Sequence, residues 1–210
     1  MAGRTGKRVR GSYSVGAERR QQIVATAAAR FAEDGYHRTA MTRIASDVGI
    51  SEGGLLHHFP TKRHLLVAVA QHRFDDSAQW WDALPDSAVG LATLDHMVDA
   101  ARRYLDEPGL IQLIVLVSAE AADPSSPAHE VYAQRYLTAV AALGERLRAG
   151  IDRDGLDGSV DYDAVARECL AVSDGLQLQW VITDGQVDIV AGVHAHVQRL
   201  SRELLRPSTD

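Results

Sequence analysis

Residues 40–59 constrain this chain more than any other stretch. Met41, Ile44, Ala45 and Val48 follow the i, i+3, i+4, i+7 spacing of one helix face, which predicts a helix of about eight residues. Gly49-Ile50-Ser51 interrupts it, and a second helix of similar length follows before Pro60. Two short helices across a three-residue turn have the dimensions of a helix-turn-helix. In that motif the second helix enters the DNA major groove and presents its N-terminal residues to base edges. Ser51 is placed to cap the second helix by accepting a bond from a free backbone N–H. Gly53 and Gly54 leave its start nearly bare. That costs helix propensity, so either a weak helix start or a close approach by another backbone is implied.

The rest of the chain has the same helical periodicity and few strand signals. Ile23, Ala27 and Phe31 recur every fourth residue up to Gly35. Thr61 is placed to cap a fourth helix through Leu65, Leu66, Val69 and Phe74 to about Leu84. Further helices are predicted at roughly 87–106, 110–122, 127–150, 161–183 and 187–205. The stretch Leu110 to Ala122 is apolar nearly all round, which predicts a buried central helix. The fold class is therefore all-α. An N-terminal three-helix reading head is joined through helix 4 to a helical bundle. Its divisions are a basic disordered tail at 1–16, a helix-turn-helix domain at 17–74 and a second domain at 75–206.

Charge supports that division. The formal net charge of −6 argues against a polyanionic partner only as an average. Residues 1–73 hold 12 basic and 5 acidic side chains, a net of +7. Residues 74–210 hold 10 and 23, a net of −13. The head suits nucleic acid, and the repelled acidic body orients the approach head-first. The tail, with Arg4, Lys7, Arg8 and Arg10, is either an inert terminus or an arm on DNA phosphates. One cysteine excludes a disulfide framework and a Cys-based zinc finger. No apolar run reaches the length of a membrane span and no secretory signal is visible, so a cytoplasmic protein is expected.

At these residues the sequence resembles the DNA-binding domain of the TetR family of transcriptional regulators. The resemblance runs from Ile23, Ala27 and Phe31 through Gly35-Tyr36, Ile44-Ala45 and Gly49-Ile50-Ser51. It continues in Gly53-Gly54-Leu55-Leu56-His57-His58-Phe59, Lys62 and Leu65-Leu66, against a family pattern of G-x-L-Y-x-H-F-x-x-K-x-x-L-L. It implies an all-helical homodimer with a C-terminal ligand-binding domain. Most such proteins are repressors that leave a pseudo-palindromic operator in double-stranded DNA when a small-molecule effector binds.

Three positions depart from the pattern. Leu56 replaces a Tyr that usually contacts phosphate, and is expected in the core. Ala40 and Arg43 replace both halves of a capping box, leaving Thr39 to cap one residue early. The resemblance makes Thr42, Arg43, Ser51, Glu52, Gly53, Gly54, His57 and Lys62 the DNA-binding candidates, with Lys62 on a phosphate. His58 and Phe59 are expected to pack the small core.

In the body, Val165, Cys169, Val172, Leu176 and Trp180 form one stripe, and Val193, Val197, Leu200 and Leu204 another. The resemblance places a dimer interface on these two helices. Two stripes from each of two chains would make a four-helix bundle. Alternatively, they cover the central helix of their own chain. Effector candidates combine apolar walls with a few polar groups: Trp81, Met97, Tyr104, Leu116, Glu120, Tyr132, Tyr136 and Gln177. Glu120 either pairs with Arg135 or faces a cationic ligand. Residues 174–180 with Val187-Asp188 resemble a subtype shared with betaine-type regulators, which identifies no ligand.

No catalytic residue, cofactor or metal site is indicated. His194 and His196 are two apart, which points their rings to different sides of a helix. Phosphate-loop, H-E-x-x-H and nucleophile-elbow motifs are missing. The reading is a ligand-responsive repressor with helix 4 as its lever. The alternative is a small-molecule-binding or catalytic helical protein with a degenerate head.

Overall fold

The computed structural model describes residues 8–205, which fold into ten helices. They are α1 (Arg8–Asp34), α2 (Met41–Val48), α3 (Glu52–His58), α4 (Lys62–Asp82) and α5 (Leu91–Leu105). After these come α6 (Pro108–Ala121), α7 (Ala128–Arg148), α8 (Ile151–Asp154), α9 (Tyr162–Ile182) and α10 (Ile189–Glu203). Among the described residues the only β pairing is an isolated bridge between Leu156 and Leu205. None of these helices is long and apolar enough to cross a membrane. The chain divides into two compact units, one ending at Arg73 and one starting at Phe74, so the division falls within α4.

The first unit has a small core of Ile23, Val24, Ala27 and Phe31 from α1 with Ile44, Ala45 and Val48 from α2. Leu55 and Phe59 join it from α3, and Leu65, Leu66 and Val69 from α4. Gly49 ends α2 in the left-handed region at φ 73°, where a side chain would strain. The next N–H, on Ile50, donates back to the Ala45 carbonyl at 2.9 Å, which closes the helix end and sets up the turn.

Helix α1 begins at Arg8 and so takes up the last nine residues of the expected tail. Residues 8–16 are helical, and residues 1–7 lie outside the described ones. Once Ile23, Ala27 and Phe31 anchor a helix, each added residue gains a hydrogen bond without a new nucleation cost. Low hydrophobicity is therefore a poor guide to where such a helix starts.

The second unit packs α7 on α9, α10 on α5 and α9, and α6 on α7 and α9. Its core includes Leu94, Met97, Val98, Ile111, Val140, Leu147, Ala166, Cys169, Val193 and Val197. Asp161 caps α9 by accepting the Asp163 and Ala164 N–H groups, and Asp188 caps α10 by accepting that of Ala191. Helix α5 is capped from a distance: the Leu91 N–H donates to Asp154 Oδ2 at 2.8 Å. Arg146 ties the end of α7 to the segment before α5 by donating to the Trp81 carbonyl at 2.6 Å and that of Ala88 at 3.3 Å. Helix α6 is not buried all round. Leu110, Ile111, Leu113 and Val117 face the core, while Ile114, Val115 and Leu116 are half-buried and Gln112 is exposed.

Candidate nucleic-acid interface

Helix α3 is positioned by buried Leu55 and by buried Phe59 at its C-cap, one turn apart. Their burial fixes its rotation and turns Glu52, Gly53, Leu56 and His57 outward, all exposed. Ser51 Oγ accepts the Gly54 N–H at 3.1 Å and so caps the helix. A Cβ added at Gly53 would meet nothing within 4 Å, so the glycine keeps open space in front of the helix start. Gly54 is half-buried beneath it. Thr42 and Arg43 are exposed on α2.

Two local expectations fail here. Leu56 is 39% exposed and is not core. It lies about 100° round the helix from Leu55, so it shares the outward face with Glu52 and His57. Thr39 does not cap α2. It is buried, and its hydroxyl donates to the Gly35 carbonyl at 2.9 Å and the Arg30 carbonyl at 3.2 Å, sealing the end of α1 instead. Helix α2 therefore starts at Ala40 with no side-chain cap.

Lys62 is half-buried at the start of α4. Its ammonium lies 4.5 Å from the Tyr36 ring centre and donates to the His37 carbonyl at 3.4 Å. Partial burial lowers its pKa from the ordinary lysine value. Thr61 Oγ1 accepts the His64 N–H at 3.3 Å, which caps α4. Two arginines emerge that spacing did not single out. Arg19 donates to the Val48 carbonyl at 3.3 Å, at the end of α2. The Arg20 guanidinium lies 4.7 Å from the Phe59 ring centre. Their signal was the basic pair one turn before Ile23. Phe59 is core as expected, and His58 is half-buried with its ring 5.7 Å from that of His57.

In the body the eight effector candidates separate. Met97 is buried in the main core, with Trp81 and Tyr104 half-buried against it. Leu116 and Glu120 are half-buried on α6. Gln177 is buried and donates to the Ser173 carbonyl and hydroxyl of its own helix at 3.3 Å. Tyr132 and Tyr136 come together with ring centres 6.5 Å apart, and Phe74 stacks edge-on at 5.0 Å from Tyr132. The Tyr132 hydroxyl donates to the Ile114 carbonyl at 3.0 Å, and burial pushes that phenol far above its ordinary pKa. The Tyr136 hydroxyl donates to Asp174 Oδ2 at 2.5 Å. Burial first and the Asp174 carboxylate second push its pKa up to about 12. Arg135 lies among these rings, 3.9 Å from Asp174 Oδ1, with which it forms an ion pair. Phe74 and Asp174 were not among the candidates. No periodicity brings α4, α7 and α9 to one point. A separate open cleft of about 500 Å³ between α7 and α9, lined by Ala141, Glu145, Arg148, Ala149 and Asp163, shares none of the eight.

The two apolar stripes also divide. Cys169, Val193, Val197, Leu200 and Leu204 are buried in the core of their own chain, so they do not form an outward interface. Burial also raises the Cys169 thiol to about 12. Val165, Val172, Leu176 and Trp180 are half-buried. Gly192 lets Leu176 pack directly on α10, since a Cβ there would stand 2.8 Å from the leucine methyl groups. The outward face of α9 holds Ala171, half-buried Gly175, Leu178 and Ile182, the last two 44% and 71% exposed.

Residues 23–69 match the model of bacterial regulatory proteins, tetR family, from within α1 through α2 and α3 to within α4. The first unit carries a TetR-type DNA-binding domain. The chain is a DNA-binding transcriptional regulator, as are the curated proteins it resembles. The transcriptional repressor AcnR of Corynebacterium diphtheriae is 27% identical over 157 residues, covering 75% of this chain and 78% of that one. Among solved structures, GusR of Salmonella enterica aligns over 88% of this chain and 96% of its own, at 25% identity and a TM-score of 0.66. FadR of Bacillus subtilis, in complex with stearoyl-CoA, has the same fold with a TM-score of 0.67 at 17% identity, over 86% and 97% of the two chains.

Proposed function

We propose that this regulator is a homodimeric repressor released from a pseudo-palindromic operator when its body takes up a small molecule. The observation that carries the DNA reading is α3. Its start is capped by Ser51, its buried side is fixed by Leu55 and Phe59, and its outward side is left to short or polar groups with one exposed leucine. Thr42, Arg43, Ser51, Glu52, Gly53, Gly54 and His57 present to the groove, and Lys62 meets a phosphate from the start of α4. One recognition helix binds weakly, whereas two on a twofold axis span half-sites one helical turn apart.

The dimer is assigned to the outward faces of α9 and α10. Ala171, Gly175, Leu178 and Ile182 offer small and apolar contacts, and exposed Ala191 and Ala195 continue them on α10. The half-buried Val165, Val172, Leu176 and Trp180 flank that patch from within. The effector site is assigned to the aromatic group around Tyr132 and Tyr136, two candidates whose rings the fold brings together beside a charged pair. A neighbour of the same fold, FadR, is described in complex with stearoyl-CoA, which supports a ligand-taking body in this architecture. Helix α4 carries both Lys62 and Phe74, so a ligand that re-seats Phe74 acts on the helix bearing a DNA contact. A ligand that prefers the released form lowers operator affinity by its differential binding energy, about 1–3 kcal/mol in typical coupling.

The test is a mobility shift of the protein on its own upstream DNA over a salt series. Sequence-preferring, salt-sensitive binding supports the reading. Binding that is absent, or indifferent to sequence and salt, refutes it and favours a body that binds small molecules under a head that no longer reads DNA.

A further inference from the structure

The Arg135 guanidinium is an internal cation enclosed by groups that favour positive charge. Its carbon lies 4.3 Å from the ring centre of Phe74, 4.9 Å from Tyr136 and 5.9 Å from Tyr132. The fourth neighbour is the Asp174 carboxylate at 3.9 Å, held in place by the 2.5 Å bond from the Tyr136 hydroxyl. Ring faces carry the negative part of the aromatic quadrupole and attract cations. Every one of these neighbours would oppose an anion. The body around them, with its net charge of −13 from residue 74 onward, raises the local concentration of cations and repels anions.

The occupant is held by ring faces, by a side-chain hydrogen bond to Tyr136 and by a long charge contact, and not by a paired fork of bonds to the carboxylate. At 3.9 Å the Arg135–Asp174 pair is a charge contact and not the bidentate pair that guanidinium and carboxylate can form. The other Asp174 oxygen, Oδ2, accepts from Tyr136. Arg135 keeps 18% of its side chain in contact with solvent and carries its head on a long flexible stem.

We propose that Phe74, Tyr132, Tyr136 and Asp174 form a binding cage for a cationic small molecule, a quaternary ammonium or a guanidinium compound, in which Arg135 acts as the competing internal ligand. The proposal deepens the effector-site assignment made above and rests on it. The external cation displaces the Arg135 head, stacks against the three rings and pairs with Asp174. The cage residues come from α4, α7 and α9, so exchange of one cation for another is felt on three helices at once.

The test uses the full-length protein and tetramethylammonium chloride, with sodium chloride as the matched-salt control and sodium benzoate as the anionic arm. Ring currents shift the N-methyl proton signal upfield on binding, so ligand-observed NMR reads the cage directly and needs no DNA. Failure of the cage is thereby separated from failure of the operator response. Wild type is expected to show weak saturable binding, and Arg135→Gln to tighten it about tenfold by removing the competitor. Phe74→Leu and Asp174→Asn are expected to abolish the shift or weaken it severalfold. An upfield shift missing from both wild type and Arg135→Gln overturns the proposal. So does saturable benzoate binding that Arg135→Gln removes, since Arg135 would then be an anion receptor. Should Arg135→Gln fail to fold, wild type and Phe74→Leu decide the matter: a wild-type shift lost in the variant supports the cage, and no wild-type shift refutes it.

Discussion

The Tyr136 hydroxyl on α7 donates a 2.5 Å hydrogen bond to the Asp174 carboxylate on α9, 38 residues away in sequence. It joins the most extensively packed helix pair of the body at a half-buried point. Tyr136→Phe is expected to lower the stability of the body by about 1.5–3 kcal/mol, the range for a hydrogen bond to a charged group. Thermal unfolding of wild type and variant measures it.

The same bond gives a pH signature. The folded-state pKa of Tyr136 is raised to about 12 from an ordinary 10.0. Stability from this group is complete below pH 10 and is lost as pH rises towards the folded value, because the unfolded chain ionises first. Tyr132 is also raised, so its slope has the same sign. Denaturant unfolding at stepped alkaline pH should show a shallower decline in Tyr136→Phe than in wild type.

Lys62→Ala tests the phosphate contact. Affinity should fall to a similar degree on operator and unrelated DNA, and the salt slope should drop by about one. An unchanged slope with full affinity would remove Lys62 from the interface.

Leu56 is exposed on the outward side of α3, where the family pattern has a Tyr expected to contact phosphate. Exposed positions tolerate substitution within about 0.5 kcal/mol, so Leu56→Tyr should fold normally. It should tighten binding to all DNA sequences severalfold through a new hydroxyl donor. Mobility shifts on specific and nonspecific duplexes check both halves.

Asp154 caps α5 from α8, and Arg153 beside it lowers its pKa below the ordinary 3.8, aided by the Leu91 N–H and opposed by burial. A depressed carboxyl pKa stabilises the fold above the unfolded value, and that stability is lost as pH falls through the folded one. Asp154→Ala should cost about 1 kcal/mol at neutral pH and flatten the acid limb of the stability curve, seen by urea titration at stepped pH.

Leu178→Glu places a charge on the outward face of α9. If that face is the dimer seam, sedimentation velocity should show the variant shifted towards monomer with its helical content unchanged. A dimer of wild-type strength would move the interface elsewhere.

The reading head was legible because its signals are local. Gly49, Ser51 and the spacing of Ile44, Ala45 and Val48 specify a turn, a cap and a helix face within a dozen residues. Leu56 was misread because a leucine in a helical run carries the same hydrophobicity whichever way it faces. Only the rotation imposed by buried Leu55 and Phe59 decides that it points out. Thr39 was misread for a related reason: its hydroxyl had two backbone acceptors at the end of α1 that spacing along α2 does not reveal.

The body shows the same boundary more sharply. Its helices, their approximate limits and its acidic charge follow from periodicity and composition, which are properties of neighbouring residues. Which stripe of α9 and α10 is spent on its own core, and which is left outward, does not. Both faces carry apolar or small residues, and Gly192 settles the matter by letting Leu176 close onto α10. The enclosure of Arg135 by Phe74, Tyr132, Tyr136 and Asp174 likewise needed the packing of three helices. The sequence by itself determined an all-helical chain with a basic reader and an acidic body. The tertiary structure alone decided which side chains meet, because cation–ring contacts and buried hydrogen bonds depend on distances between residues far apart along the chain.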